Sequence, residues 1–130
     1  MPPGGTRAIS DLQRLTVSLR GGLSQQARCQ LFTFTGQLDA YSDKQFLEFV
    51  TSSLAATPSP VVIDLSRIDF LDSSGLGALV QLAKQFQQSE QQFLLVGNAR
   101  VMQTVKLVRL EEFLNLQPDL ESALGRLTAA

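Results

Sequence analysis

Two short runs of almost unbroken apolar side chains set the strongest limit on how this chain can fold. They are Val61-Val62-Ile63-Asp64-Leu65 and Phe93-Leu94-Leu95-Val96-Gly97. A strand with one face in water alternates between apolar and polar residues. A run without alternation belongs to a strand covered on both faces, as in a parallel sheet flanked by helices. Between the two runs, Leu76, Leu79, Val80, Ala83 and Phe86 recur at helical spacing, with Gln81, Lys84, Gln85 and Gln88 outside them, so Leu76 to Gln88 reads as an amphipathic helix. Strand, helix, strand in this order joins parallel neighbours, and strand twist makes the crossover right-handed.

The rest of the chain extends this pattern. Leu15 to Arg20 alternates as a half-buried strand ended by Gly21-Gly22, and a second strand runs from about Cys29 to Thr35 and reaches Gly36. The loop between them looks too long for a tight hairpin turn, and antiparallel pairing is expected. Ser42 or Asp43 caps a helix with Phe46, Leu47, Val50 and Leu54 inward, which Pro58-Ser59-Pro60 stops. Asn98 caps a helix over about Ala99 to Leu110, with Val101, Met102, Val105 and Val108 inward. Phe113 to Gln117 reads as a last short strand, and Pro118-Asp119 opens a terminal helix carrying Leu120, Ala123, Leu124 and Leu127. The order ββαβαβαβα specifies an α/β fold: one mixed, largely parallel sheet with helices packed against it. No internal repeat or linker divides the chain; the Gln-rich patch around Gln85 to Gln92 is a helix end and turn. One domain over 12–130 is expected, preceded by a mobile tail over 1–11.

Where the first buried strand gives way to its helix, the chain reads Ile68-Asp69-Phe70-Leu71-Asp72-Ser73-Ser74-Gly75-Leu76-Gly77. Asp-Ser-Ser suits a helix start, because the first four N–H groups of a helix have no internal partner and short polar side chains bond them. Capping alone does not account for Gly75 and Gly77, each of which costs about 1 kcal/mol against alanine within a helix. Helix positions without side chains let another backbone come close. The expectation is a serine hydroxyl turned outward on an approachable platform, beyond the C-terminal ends of the strands, the edge where open α/β sheets place their sites.

Asp72-Ser73-Ser74-Gly75-Leu76-Gly77, following Ile63-Asp64-Leu65-Ser66 and Ile68-Asp69-Phe70-Leu71, closely resembles the phosphorylation loop of bacterial anti-sigma factor antagonists, the stand-alone STAS domains. Thr35-Gly36-Gln37-Leu38-Asp39 is similar to that family's Gly-x-Leu-Asp turn after its second strand. The resemblance spans about residues 12 to 128. It implies a STAS-like domain in which Ser73 is the phosphorylated residue. The implied partner-binding set is Asp39, Asp72, Ser73, Ser74, Gly75, Leu76 and Gly77, with Asp39 beside Ser73, positioning its hydroxyl or engaging the kinase. It further implies an anti-sigma factor with serine kinase activity as partner, bound when Ser73 is unmodified and released once the kinase, using ATP and magnesium, has phosphorylated it. A metal-dependent serine phosphatase resets the cycle, and the chain itself carries no cofactor and no catalysis. The same motif is compatible with an adaptor serving a different signalling target. Read without the resemblance, Asp39 is a turn former, Ser74 a capping or packing residue, Leu76 a core or platform residue, and Lys106 and Arg109 are solvated.

Composition narrows the remaining options. A length of 130 residues with 44% hydrophobic content suits one domain with a real core, and a net charge of −1 lacks the basic excess of a nucleic-acid surface. No apolar run approaches the roughly 18 residues of a membrane span, and Met1 to Thr6 has no signal-peptide layout, so a cytoplasmic protein is expected. Cys29 is the one cysteine, so no internal disulfide can form, and its alternating context suggests a small core residue. The chain has no histidine, which removes Ser-His-Asp and Cys-His nucleophile systems and histidine metal sites. A serine enzyme would need a lysine or carboxylate base, and neither turn holds a lysine. Carboxylate-only binding of a hard cation stays open at this stage.

Overall fold

The computed structural model describes residues 12–127; the expected tail over 1–11 lies outside the described residues, as do 128–130. Six strands form one sheet: β1 (Gln13–Arg14), β2 (Leu19–Gln25), β3 (Gln30–Leu38), β4 (Val61–Leu71), β5 (Phe93–Val96) and β6 (Leu116–Gln117). They lie side by side in chain order. β1, β2 and β3 pair antiparallel, and β3 through β6 pair parallel. Four helices join them: α1 (Asp43–Ser53), α2 (Ser73–Gln88), α3 (Ala99–Leu107) and α4 (Leu120–Gly125). The expected order is present, with the two-residue β1 added ahead of it.

The sheet carries a core on each face, which is why β4 begins as an apolar run. Val61, Ile63 and Leu65 point to the larger core with Phe32, Phe34, Phe93 and Leu95, packed by Phe46 and Val50 of α1, Leu79, Leu82 and Phe86 of α2, and Val101 and Val105 of α3. Val62, Leu94, Val96 and Cys29 point to the other face, under Ala123 of α4 and Leu127. β5 pairs with β4 only over Val61 to Asp64. Beyond that point β4 continues to Leu71 with its second face uncovered among the described residues: Ile68 and Leu71 stay buried while Ser66, Arg67, Asp69 and Phe70 are exposed. Exposed residues thus return where one cover ends, but in steps of three rather than two, because the β3–β4 register shifts between Thr33/Thr35 and Gly36/Gln37. The apolar run marks less than half of the strand.

Two sequence expectations fail at the N-terminal hairpin. Leu15 to Ser18 is a bend rather than strand, because the Thr16 hydroxyl accepts from the N–H groups of Ser18 and Leu19 (both 3.1 Å) and holds the chain in a turn. Gly21-Gly22, read as a terminator, lies inside β2. A Cβ on Gly21 would sit 2.7 Å from the Phe34 ring, so the glycine makes room for an aromatic on the next strand. With β2 reaching Gln25 and β3 starting at Gln30, the connection is short and closed by Gln26 N–H to Cys29 O at 2.9 Å.

Two further differences concern helix ends. α3 stops at Leu107, and Val108, expected inward, is 50% exposed. Arg109 turns left-handed (φ 61), its N–H bonds Lys106 O at 3.1 Å, and Leu110 N–H bonds Val105 O at 3.2 Å. That pair of bonds is a Schellman ending, reached here without the usual glycine. Residues 111–115 form a turn rather than strand, with Asn115 at φ 50, so β6 is only Leu116–Gln117.

Candidate functional site

β4 ends at Leu71, and one residue later α2 begins. Asp72 is extended (φ −108, ψ −173), its Oδ1 accepts from Gly75 N–H at 2.9 Å, and its carbonyl accepts the Leu76 N–H at 2.9 Å. Asp72 is therefore the cap, and neither serine is needed for that task. α2 starts at Ser73 rather than near Leu76. Ser73 is exposed, and its hydroxyl makes no hydrogen bond among the described residues. Ser74 is half-buried and also makes no cap bond.

The two glycines divide the work. A Cβ on Gly75 would stand 2.3 Å from Leu38 O, so the start of α2 presses directly on the end of β3. Gly75 is buried, which removes it from the expected contact surface and gives it a structural role. Gly77 is exposed, and a Cβ there would meet nothing within 4 Å. The open platform is at Gly77. Leu76 is half-buried and packed against the larger core.

The second turn abuts the first through Leu38, whose carbonyl also accepts the Asp72 N–H at 3.4 Å. Asp39 follows immediately and is 8% exposed. Its Oδ1 accepts from the Tyr41 N–H at 2.9 Å and the Ser42 hydroxyl at 3.2 Å. Ser42, fully buried, also accepts the Asp39 N–H at 3.0 Å and lies 2.8 Å from Gln37 O. Its hydroxyl is spent on this turn, and Ser42 gives α1 no side-chain cap bond. Asp39, expected beside Ser73 to position its hydroxyl or engage the kinase, makes no hydrogen bond to that hydroxyl. Their turns are adjacent, but the Asp39 carboxylate is fixed to its own turn.

Asp69 and Asp72 precede Ser73 along the chain, the Asp39 turn abuts theirs through Leu38, and 69–77 contains no positive side chain. Tyr41 (85% exposed) and Phe70 (44%) flank the two turns. Sequence reading gave neither a role, since Tyr41 sits in a turn and Phe70 is turned outward by a register shift against β3 that no local pattern marks. Lys106 and Arg109 are exposed. A groove of about 520 Å³ lined by Pro58, Pro60, Phe86, Gln87 and Gln91 lies at the start of β4 and the end of α2, remote from Ser73. Among the described residues no group of three or more cysteines, aspartates or glutamates is placed to hold a metal ion, and no helix is long and apolar enough to cross a membrane.

Comparison with known proteins agrees with this architecture. The model of the STAS domain family matches residues 23–123. The fold is similar to that of an anti-sigma factor antagonist from Mycobacterium paratuberculosis, 24% identical over 85% of this chain and 94% of that one, with a TM-score of 0.75. It is similar to the anti-sigma factor antagonist SpoIIAA in its unphosphorylated form, 18% identical over 82% of this chain and 94% of that one, TM-score 0.66. The murine Solute Carrier 26 family member A9 anion transporter also matches, 21% identical over 78% of this chain but only 18% of the transporter, TM-score 0.66. With the family model spanning most of the sequence and the sheet, helices and loop in the expected places, this chain belongs to the STAS domain family.

Proposed function

We propose that this protein is an anti-sigma factor antagonist acting by partner switching, with Ser73 as its phosphorylation site. The observation that carries this reading is the division of roles at the start of α2: Asp72 caps the helix, and Ser73 stands exposed with an unengaged hydroxyl. In the unmodified state the surface of Ser73, Gly77, half-buried Leu76 and the neighbouring Asp39 turn binds an anti-sigma factor with serine kinase activity. The kinase transfers phosphate to the hydroxyl, and a metal-dependent serine phosphatase removes it. The protein serves as substrate and binder, in the cytoplasm, and not as a catalyst. Phosphoserine brings about −1.5 to −2 charges, and like charges forced together across an interface cost several kcal/mol. Every 1.4 kcal/mol is tenfold in affinity, so a local change suffices to release the partner.

The test is incubation with a cognate anti-sigma serine kinase, ATP and magnesium, read by intact mass. Wild type should gain one phosphate and Ser73→Ala none; equal labelling of both puts the acceptor elsewhere. The STAS fold also occurs within an anion transporter, so it is not confined to sigma-factor antagonists, and the second reading is a STAS adaptor with a different target. Affinity capture distinguishes them: recovery of a kinase and its sigma factor supports the first, and recovery of other signalling proteins alone supports the second.

A further inference from the structure

Among the described residues, α4 and Leu127 cover the second face of the sheet around β5 and the starts of β3 and β4, and beyond that cover the strand registers line up three arginines. Arg14 of β1 stands opposite Arg20 of β2, Arg20 opposite Thr35 of β3, and Thr35 opposite Arg67 of β4. Directly opposed residues project to the same side of a sheet. This side is the one away from Leu19, Phe34, Leu65 and Ile68, which are buried in the larger core. Arg14, Arg20 and Arg67 thus form a row across four strands. The first two Cα atoms are about 5 Å apart, and the third is about 10 Å further on. All three side chains are exposed, and no guanidinium makes an ion pair or hydrogen bond among the described residues. Phe70, opposite Gln37 and 44% exposed, lies on the same face beyond Arg67.

Like charges directly opposite each other weaken a strand pair, so Arg14 across from Arg20 is not what stability alone would select. β4 carries two carboxylates: Asp64, 8% exposed and accepting the Ser66 N–H at 2.9 Å, and Asp69, exposed beside Phe70. We infer that this face is a second docking surface, taking an acidic segment of a partner protein whose carboxylates pair with the arginine forks and whose apolar side chain covers Phe70. Guanidinium suits carboxylates through paired N–H donors. A membrane or nucleic acid presents a continuous field of phosphates that would meet Asp64 and exposed Asp69 as well as the arginines. A net charge of −1 also gives such a surface no long-range attraction. A protein segment places discrete charges on the row and avoids both acids. The surface does not depend on Ser73, which lies past the end of β4.

The test uses the full chain and a fluorescein-labelled octaglutamate peptide carrying one leucine, titrated by anisotropy at low salt. The Arg20→Gln/Arg67→Gln variant should bind about tenfold more weakly than wild type, as expected from losing two exposed pairs. Arg100→Gln/Arg109→Gln, on the α3 side, should bind as wild type does. Thermal melts of the row variant should be unchanged or higher; a lower melting temperature would show that the arginines stabilise the sheet and overturn the proposal. It is equally overturned by absence of peptide binding, by equal weakening in both variants, or by tighter binding to phosphatidylserine vesicles or oligothymidylate than to the peptide.

Discussion

Replacing Gly75 with alanine tests the junction that sets where Ser73 stands. The added methyl would lie 2.3 Å from Leu38 O and 2.8 Å from Leu71 Cδ1. The Leu71 side chain can rotate away. The oxygen belongs to the β3 backbone, so relief requires the strand end or the helix start to move. Overpacking of this kind costs about 1–3 kcal/mol, and alanine recovers about 1 kcal/mol of helix propensity, leaving a net loss of about 1–2 kcal/mol toward the upper end of that cost. Gly77→Ala, in the same helix, meets open space and keeps only the gain, about 0.5–1 kcal/mol of added stability. The two variants should therefore differ in sign. Urea denaturation followed by circular dichroism reads this as midpoints moving in opposite directions at a constant slope. The same pair separates stability from recognition: Gly77→Ala should stay folded yet dock its partner more weakly, because the methyl fills the platform. If Gly75→Ala proves as stable as wild type, α2 does not press on the Leu38 carbonyl, and the adjacency of the two turns has no steric origin.

Asp72→Ala should lose about 1 kcal/mol, the usual cost of a missing helix cap, whereas Ser73→Ala should stay within about 0.5 kcal/mol of wild type because its side chain bonds nothing; equal losses in urea titrations would return the cap to Ser73. Ser73→Asp should weaken kinase binding at least about tenfold with an unchanged circular dichroism spectrum, checked by calorimetric titration; loss of fold would contradict the exposed placement. At α4, the Asp119 carboxylate accepts the Ser122 N–H at 2.7 Å, and that bond, followed by the bond to the Ser122 side chain, holds its pKa below the ordinary 3.8. A depressed native value means the cap's contribution is complete above the unfolded pKa and disappears as pH falls through the native one. Carboxyl-carbon NMR should show an Asp119 midpoint under 3.8, and a midpoint at or above that value refutes the cap.

How much of this could be read beforehand depends on whether the signal was local. Val61 to Leu65 and Phe93 to Val96 announced themselves because both faces are covered, and Asn98 and Asp119 were legible as caps, with Val101 N–H on Asn98 Oδ1 at 2.9 Å and Ser122 N–H on Asp119. What the sequence hid is non-local. Gly21 looks like a strand terminator until Phe34 is seen across the pair. Val108 keeps the helical spacing of Val101 and Val105, yet the turn at Arg109 puts it outside. Within the site, the acid-serine-glycine motif marked the place, but it could not say which of Asp72, Ser73 and Ser74 caps. Nor could it separate a glycine required by Leu38 from one left open beside it. Those distinctions depend on what the end of β3 does. For the same reason the motif could place the Asp39 turn at the same sheet edge as Ser73, but could not show its carboxylate engaged by the Tyr41 N–H and the Ser42 hydroxyl.

That arrangement bears on how a phosphate at Ser73 would act. Of the first N–H groups of α2, the one on Gly75 is taken by Asp72 Oδ1 and the one on Leu76 by Asp72 O, leaving those of Ser73 and Ser74. A phosphate on Ser73 would draw on these two and on the helix dipole, a gain of about 0.3–1 kcal/mol. It would also sit beside the Asp72 carboxylate, with no positive side chain in 69–77 to bind it. The helix start attracts the new charge and the Asp72 carboxylate repels it, so the two effects oppose each other. No positive side chain in 69–77 absorbs the new charge, so on the proposed function a docked partner would meet it. The fold stays as it is, and the change falls on affinity. On the proposed function this is the property required, since a binder that is to return to the same partner after dephosphorylation keeps its platform without rebuilding it.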